Sequence, residues 1–322
     1  IIDMNYENTI YDVVIGGQGA AAFAAGMYAA RYQMSAIIVG TTFGGETATG
    51  GLIENYPGYP DIDGFDLMMK FREHAEKYNV PIIDDKLVIS NVNGTSQKES
   101  GVFQIAGESD QIYRGRSVIL AIGRERRSLW LDHEQDWTGR GVSYCSTCDA
   151  PMHKGNTVAV VGGGDSAVKG SVLISKYADK VYLIYRKSNF TRPEAANLRQ
   201  LDAATNIERV FNTNVIELLG DDAKGLTGIK LDNSYKNQDT LDVDGLFIEI
   251  GADPRKELPL HLGAKVNESD EVIVDKFMNT NVSGLIAAGD LTDASGDLKQ
   301  TITAAAQGSM AATTAYEYVS NL

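Results

Sequence analysis

The chain has 322 residues, of which 43% are apolar and 22% charged, and its formal net charge is −14. This composition is typical of a folded globular protein and argues against a disordered or collagen-like chain. So acidic a chain is a poor candidate for nucleic-acid binding, because contacts to phosphates need clustered Lys and Arg. We expect no membrane span and no signal peptide, and therefore a cytoplasmic protein with two domains of ordinary size.

The N-terminal segment predicts a strand, a glycine turn, a helix and a second strand. Tyr11–Ile15 is a short apolar run with β-branched residues, and an Ala-rich stretch that ends near Arg31 follows the turn. Ala36–Val39 then supplies the second strand. Together these segments form a βαβ unit of about the usual 30 residues.

The turn of this unit reads Gly17-x-Gly19-x-x-Ala22. Glycine lets backbone N–H groups approach a pyrophosphate at the helix N-terminus, and the small third residue permits close helix–strand packing. We therefore expect a dinucleotide here. The carboxylate that commonly binds the ribose is absent, because residues 39–42 are Val-Gly-Thr-Thr.

The two cysteines of the chain, Cys145 and Cys148, lie in one C-x-x-C motif. A structural disulfide across so short a loop removes little entropy from the unfolded state. A zinc site needs four ligands, and the four histidines supply no second ligand pair. The motif therefore favours a redox-active pair over both alternatives. Asp149 follows directly and is a candidate acid–base group, although an Asp at such a place is also a common helix cap.

A second βαβ unit follows in mid-chain. Its strand, helix and second strand are predicted at Thr157–Val161, Asp165–Tyr177 and Val181–Tyr185. The turn repeats the first pattern at Gly162, Gly164 and Ala167. Two such units are more informative than one, because a single G-x-G-x-x-G motif is frequent by chance.

Three cations follow the second strand of this unit, namely Arg186, Lys187 and Arg192. No carboxylate stands there for a ribose 2′-hydroxyl, and basic residues at this position suit a 2′-phosphate. The pattern indicates NADPH rather than NADH. A solvated surface loop is the alternative interpretation.

The remaining pattern predicts an α/β fold with one domain inserted into another. Further strands are predicted at Val102–Ile105, Ser117–Ile122, Asn214–Leu219, Leu226–Leu231, Leu246–Ile250 and within Gly284–Asp290, and a final helix at Thr301–Ser320. We expect two Rossmann-like domains of the three-layer ββα type. The first comprises residues 1–123 and 252–322, and the second, residues 124–251, carries the C-x-x-C motif.

The chain resembles the low-molecular-weight thioredoxin reductases, a family of FAD-dependent pyridine nucleotide-disulfide oxidoreductases, over nearly its whole length. The blocks that carry the likeness are Gly17-x-Gly19, Gly44-Gly45-Glu46-Thr47, Glu54-Asn55-Tyr56-Pro57-Gly58, Cys145-Ser146-Thr147-Cys148-Asp149, Gly162-Gly163-Gly164-Asp165-Ser166-Ala167, Ala288-Gly289-Asp290 and Lys299-Gln300-Thr301-Ile302-Thr303-Ala304-Ala305.

The resemblance implies a homodimeric thioredoxin-disulfide reductase that passes electrons from NADPH through FAD and the cysteines to thioredoxin or a thioredoxin-like protein. It implies that Cys148 faces the flavin, that Cys145 attacks thioredoxin, and that Asp149 handles protons. Hinges are expected near Gly123 and Gly251, and no metal is expected. The FAD residues implied are Gly17, Gly19, Ala22, Gly44, Gly45, Glu46, Asn55, Gly123, Gly289, Asp290, Lys299, Gln300 and Thr301. The NADPH residues implied are Gly162, Gly164, Asp165, Ser166, Ala167, Arg186, Lys187 and Arg192.

The sequence also departs from the family pattern. Lys169-Gly170 replaces paired glutamates, and Glu46 and Lys299 replace a Gln and an Arg. These departures leave NADH, a deazaflavin or a ferredoxin open as the electron donor, and a glutaredoxin-like or peroxiredoxin-linked protein open as the partner. A ferredoxin–NADP reductase, against which the C-x-x-C motif argues, and a redox sensor are further alternatives.

Overall fold

The structure is a computed structural model that describes residues 9–89, 97–191, 193–221, 223–296 and 298–322. Within these ranges the helices are α1 (Ala20–Arg31), α2 (Gly45–Ala48), α3 (Gly64–Glu76), α4 (Ser146–Asp149), α5 (Asp165–Ile174), α6 (Ala195–Ala203), α7 (Glu257–His261) and α8 (Thr301–Ser320). The strands are β1 (Ile10–Gly16), β2 (Ala36–Gly40), β3 (Leu52–Ile53), β4 (Ile62–Asp63), β5 (Ile82–Asp84), β6 (Leu87–Val88), β7 (Gln97–Glu99), β8 (Val102–Gly107), β9 (Ile112–Leu120), β10 (Arg124–Arg126), β11 (Val142–Ser143), β12 (Thr157–Val161), β13 (Lys180–Tyr185), β14 (Ile207–Phe211), β15 (Val215–Asp221), β16 (Gly225–Tyr235), β17 (Gln238–Asp242), β18 (Gly245–Ile248), β19 (Ala252–Pro254) and β20 (Leu285–Ala287).

The chain divides into two compact units, one of Ile1–Glu125 with Asp253–Leu322 and the other of Arg126–Ala252. The chain leaves the first unit through β10 and returns through β19, and these two strands pair with each other. Gly123 and Gly251 flank the pair with φ angles of 67° and 92°. Only glycine adopts this backbone without strain, which explains why it stands at both crossings.

The first unit contains a mixed sheet. Strands β5, β2, β1, β9 and β20 run parallel, and β8 continues the sheet antiparallel to β9. Helices α1 and α8 cover one face, where Phe23, Ile38 and Ile286 are buried. Phe103 and Tyr113 lie in the core on the other face. The first glycine turn therefore lies at the carboxyl end of a central strand.

The second unit has three layers. Strands β11, β18, β12, β13 and β14 form a parallel sheet, and β15, β16 and β17 form an antiparallel one. One face of the parallel sheet buries Val168 of α5 against Phe247. The opposite face buries Val161 against Ile229 and Leu241 of the antiparallel sheet.

The predicted fold class is confirmed, and α8 spans the predicted Thr301–Ser320. Helix α5 ends at Ile174 rather than Tyr177, because the amides of Lys176 and Tyr177 bond to carbonyls three positions back and tighten the last turn. In the described part of the chain, no helix is both long and apolar enough to cross a bilayer.

Candidate active site

Cys145 and Cys148 form a disulfide whose Cα atoms are 5.3 Å apart. Helix α4 begins directly after Cys145, and its first turn brings the Cys148 amide within 3.2 Å of the Cys145 sulfur. A backbone N–H that donates to sulfur stabilises the thiolate, so this contact favours Cys145 as the nucleophile after reduction. Cys148 is exposed and Cys145 partly buried, so the motif lies at the surface of its unit.

Side chains from separate segments of the second unit hold the motif. The Cys145 amide donates to the Ser143 hydroxyl at 3.0 Å, and the Ser146 hydroxyl donates to the Glu249 carboxylate at 2.6 Å. Gly170 on α5 permits this approach, because a Cβ there would lie 2.6 Å from the Ser146 hydroxyl oxygen. The glycine that departs from the family pattern thus has a packing reason.

Asp149 is the last residue of α4, and its amide donates to the Cys145 carbonyl at 3.2 Å. Its carboxylate forms no hydrogen bond with the described residues, so it is available for proton transfer. Burial lowers the pKa of His153, four residues further on, and the charges of Asp149 and Asp244 only partly oppose this shift. His153 is therefore neutral at pH 7 and packs edge-on against Phe247.

The second glycine turn has the shape that a diphosphate requires. A Cβ at Gly162, where φ is 150°, would lie 2.2 Å from a backbone carbonyl, and one at Gly163 would lie 2.4 Å from the Tyr185 ring. Gly164 has no atom within 4 Å of that position. No described side chain caps α5, so its first amides face the open side of Gly164.

Three predicted nucleotide residues continue from this turn into α5. The Asp165 carboxylate accepts hydrogen bonds from the Glu194 amide at 2.7 Å and from Asn197 at 2.9 Å, and so anchors the start of α6. Ser166 is exposed, and Ala167 is buried. Asp165 therefore has a structural contact that the motif alone does not reveal.

The predicted phosphate-binding cations follow β13. Arg186 and Lys187 are exposed, and neither forms an ion pair with another described residue. Arg192 lies outside the described residues. The residue before them, Tyr185, ends β13 and is uncharged.

The first glycine turn repeats this geometry. A Cβ at Gly17, where φ is 111°, would lie 2.2 Å from the Ala121 carbonyl, whereas Gly19 has no atom within 4 Å. Helix α1 begins at Ala20, no described side chain caps it, and Ala22 is fully buried. The chain thus carries two glycine turns of the same shape, and each suits an anion.

A cavity of about 220 Å³ opens beside the first turn. It is lined by Gln18, Thr41, Phe43, Arg72, Ile82 and Asp84. Asp84 ends β5 and pairs in register with Gly40 at the end of β2, so a carboxylate from the neighbouring strand lies beside the end of β2. Neither Asp84 nor Arg72 is among the residues expected from the sequence. An Asp after an apolar strand was the available signal for Asp84, but no spacing rule connects it to the turn.

Further predicted flavin-binding residues come together from distant segments of the first unit. Gly44 and Gly45 turn the chain into α2 with φ angles of 69° and 56°, and Glu46 follows them. The Asn55 amide group donates to Gln300 at 3.0 Å, although 245 positions separate the two residues. Thr47 and Thr301 share a hydrogen bond of 2.8 Å. The two predicted parts of the flavin site are therefore adjacent in space.

Charged side chains converge after β20. Burial raises the pKa of Asp290, and the charges of Lys299 and Arg124 oppose that shift. Lys299 forms an ion pair of 2.8 Å with Glu271, and the two side chains are 12% and 14% exposed. The buried Nε atom of Arg124 has no hydrogen-bond partner in the described residues. An unpartnered buried donor beside a glycine turn fits a large ligand with hydrogen-bond acceptors.

Comparison with known proteins is consistent across the chain. The family model described as pyridine nucleotide-disulphide oxidoreductase matches residues 11–308. The thioredoxin reductase of Mycolicibacterium smegmatis is 35% identical, over 95% of this chain and 95% of that protein. The thioredoxin reductase of Listeria innocua is 33% identical, over 99% and 97%. The crystal structure of Lactococcus lactis thioredoxin reductase superposes with a TM-score of 0.86 at 31% identity, over 97% of this chain and 100% of that one.

Proposed function

Because the chain belongs to the pyridine nucleotide-disulphide oxidoreductase family and is an enzyme of the thioredoxin reductase type, we propose that it reduces thioredoxin with electrons from NADPH, passed through FAD and the Cys145–Cys148 disulfide. The observation that carries the proposal is the disulfide itself. It lies in an accessible C-x-x-C motif, in the same unit as a nucleotide turn.

Disulfide exchange follows from the geometry of the motif. Two electrons and two protons convert the disulfide into two thiols. The Cys145 thiolate attacks one sulfur of the partner disulfide, forms a mixed disulfide and displaces the other partner sulfur as a thiolate. Cys148 then attacks the Cys145 sulfur, releases the reduced partner and restores the Cys145–Cys148 disulfide. Asp149 takes the proton of Cys148 and passes it to the departing thiolate.

The residues of the first unit suit FAD. The amides after Gly17 and Gly19 would bind the pyrophosphate, Asp84 would bind the adenosine ribose, and Arg124 would donate to the flavin end through its unpartnered Nε. Burial raises the pKa of Asp290, so its carboxyl takes up a proton more readily than that of an exposed Asp. Bound FAD would supply the two-electron transfer that links a nicotinamide donor to the disulfide.

The second unit binds the donor. Gly162 and Gly164 receive its diphosphate, and the charge beside the ribose decides between NADPH and NADH. Arg186 and Lys187 are exposed and free of described ion pairs, so both can bond to a 2′-phosphate. We further propose that the protein is a homodimer. We also propose that it acts in the cytoplasm, because a disulfide that must be reduced in each cycle needs a reducing compartment.

Anaerobic reduction of the flavin tests the electron path. NADPH is expected to bleach the flavin of the purified holoenzyme, and a Cys148→Ser variant is expected to keep this reaction but lose steady-state reduction of thioredoxin. An Arg186→Gln, Lys187→Gln double variant is expected to raise KM for NADPH about tenfold and to leave KM for NADH unchanged, because each lost phosphate contact is charge-assisted. Lys154→Gln is the matched control, since Lys154 is an exposed cation of the same unit.

Two outcomes would contradict the proposal. Flavin that NADPH and NADH both leave oxidised, but that reduced ferredoxin bleaches, would replace the donor and leave the cysteine chemistry intact. Flavin reduction without transfer to thioredoxin in the wild type would remove the assigned partner.

A further inference from the structure

Trp130 is the most exposed large apolar side chain among the described residues, with 88% of its surface accessible. Its φ angle is 61°, in the left-handed region that bulky residues rarely adopt. Both features oppose folding stability, because burial would remove the indole from water and glycine would adopt this backbone without strain. A residue kept in this state indicates a role other than folding.

The loop that carries Trp130 is held on both sides. Leu129 and Leu131 pack against the core of the second unit. Their amides donate to the two carboxylate oxygens of Glu134 at 2.9 and 3.1 Å. Glu134 is only 2% exposed, so water does not compete for these hydrogen bonds. The loop therefore presents the indole to solvent from a fixed position.

The same carboxylate connects this loop to the redox pair. The Tyr144 hydroxyl donates to Glu134 at 2.5 Å, and Tyr144 directly precedes Cys145. The path from the Trp130 Cα through the Leu131 amide, the Glu134 carboxylate and the Tyr144 side chain to the Cys145 Cα is about 20 Å long. The two Cα atoms are therefore no farther apart than that. A standard interface covers about 800 Å² on each protein, a patch about 30 Å across. A protein that brings its disulfide to Cys145 can therefore cover Trp130 in the same interface.

We propose that Trp130 is a docking anchor for thioredoxin, and this proposal rests on the function proposed above. Trp is enriched among the few residues that supply most of the binding energy in protein interfaces. A small disulfide reaches the cysteines without touching the loop, whereas a protein substrate must cover the surface around them. The anchor is accordingly specific for a macromolecular disulfide.

The test uses holoenzyme reduced with dithionite, so the result does not depend on the natural donor. Its reoxidation by thioredoxin and by the small disulfide DTNB is followed through the flavin absorbance. Trp130→Gly is expected to lower the second-order rate constant with thioredoxin about tenfold, which corresponds to about 1.4 kcal/mol. Its rate with DTNB is expected to be unchanged. Its Tm is expected to be no lower than that of the wild type, because glycine relieves the backbone.

Two further variants serve as controls. Trp130→Phe keeps an aromatic side chain and is expected to stay within about threefold of the wild-type rate with thioredoxin. Phe277→Ala removes a 54% exposed aromatic side chain from the first unit and is expected to change neither rate.

Each alternative has a distinct result. A Trp130→Gly variant that reduces thioredoxin at the wild-type rate overturns the anchor and leaves the proposed function intact. Equal losses with thioredoxin and DTNB also overturn it, because the indole then acts on the cysteine pair itself. A changed oligomeric state of Trp130→Gly in sedimentation would assign the indole to a contact between copies of this chain. A wild type that reduces DTNB but not thioredoxin contradicts the proposed function, and the anchor with it.

Discussion

Replacing Glu134 by Gln removes a buried carboxylate that accepts three hydrogen bonds next to the redox motif. The donors are the amides of Leu129 and Leu131 and the hydroxyl of Tyr144. Gln has one acceptor oxygen, and its NH₂ group faces one of the two amides, so that amide is left buried without a partner. A bond to a charged acceptor contributes about 1.5 to 3 kcal/mol, and an unsatisfied buried donor costs about 1 to 3 kcal/mol.

We therefore expect Glu134→Gln to ease local opening of this loop by about 2 to 3 kcal/mol, a factor of about 30 to 150. Hydrogen exchange of peptides that cover residues 127–137, followed by mass spectrometry, measures this opening directly. Tyr144→Phe keeps both amide bonds to Glu134 but removes the hydroxyl that donates to Glu134 and accepts from Gln135 at 3.3 Å. Loss of the bond to the charged acceptor, about 1.5 kcal/mol, is expected to accelerate exchange about tenfold. Glu217→Gln is the matched control, because Glu217 is 53% exposed in its ion pair with Lys230, and we expect less than about a twofold change. Exchange at the wild-type rate in Glu134→Gln would show that Glu134 does not hold the loop of Trp130 in place.

Three further predictions follow from single sites. Gly19→Ala is expected to weaken FAD binding about tenfold while the apoprotein keeps its Tm. A Cβ there would meet no protein atom within 4 Å but would occupy the position proposed for the diphosphate. Unchanged FAD affinity would contradict this assignment. Gly308→Ala is expected to lower the free energy of unfolding by about 1 to 3 kcal/mol in urea titrations, because its Cβ would lie 2.0 Å from the Ala21 carbonyl. A variant as stable as the wild type would show that α1 and α8 can separate without cost. Hydrogen bonding to Lys236 is the main cause that lowers the pKa of Glu208 from 4.5 to about 2. The stabilisation that ionised Glu208 contributes is therefore complete above pH 4.5 and is lost as pH falls towards 2. The Tm difference between wild type and Glu208→Gln should shrink over that window, and a constant difference would contradict the shift.

The chemistry of the redox pair was readable from the sequence, because a C-x-x-C motif needs only local spacing. The three-residue separation lets the first turn of α4 bring the Cys148 amide to the Cys145 sulfur. The two glycine turns could be predicted from the sequence for the same reason. Gly17 and Gly162 stand where an added Cβ would meet a backbone carbonyl at 2.2 Å, and only glycine satisfies that constraint.

The surroundings of these motifs depend on contacts between distant segments. No carboxylate follows β2 in the sequence, whereas the structure places Asp84 beside the end of β2 from the neighbouring strand. Ser146 bonds to Glu249, 103 positions away. The local sequence around each of these residues does not predict its partner, because the pairs form only when the strands of a sheet come into register.

The sequence by itself determined two βαβ units, two glycine turns and a redox-active cysteine pair. Strand and helix periodicity, glycine spacing and cysteine spacing all act within about 30 residues of chain. Only the tertiary structure decided that Glu134 joins the Trp130 loop to Tyr144 beside Cys145, and that Asn55 meets Gln300. Such contacts require whole sheets and helices to pack first, since hydrogen bonds between remote segments form only after the backbone has brought them together.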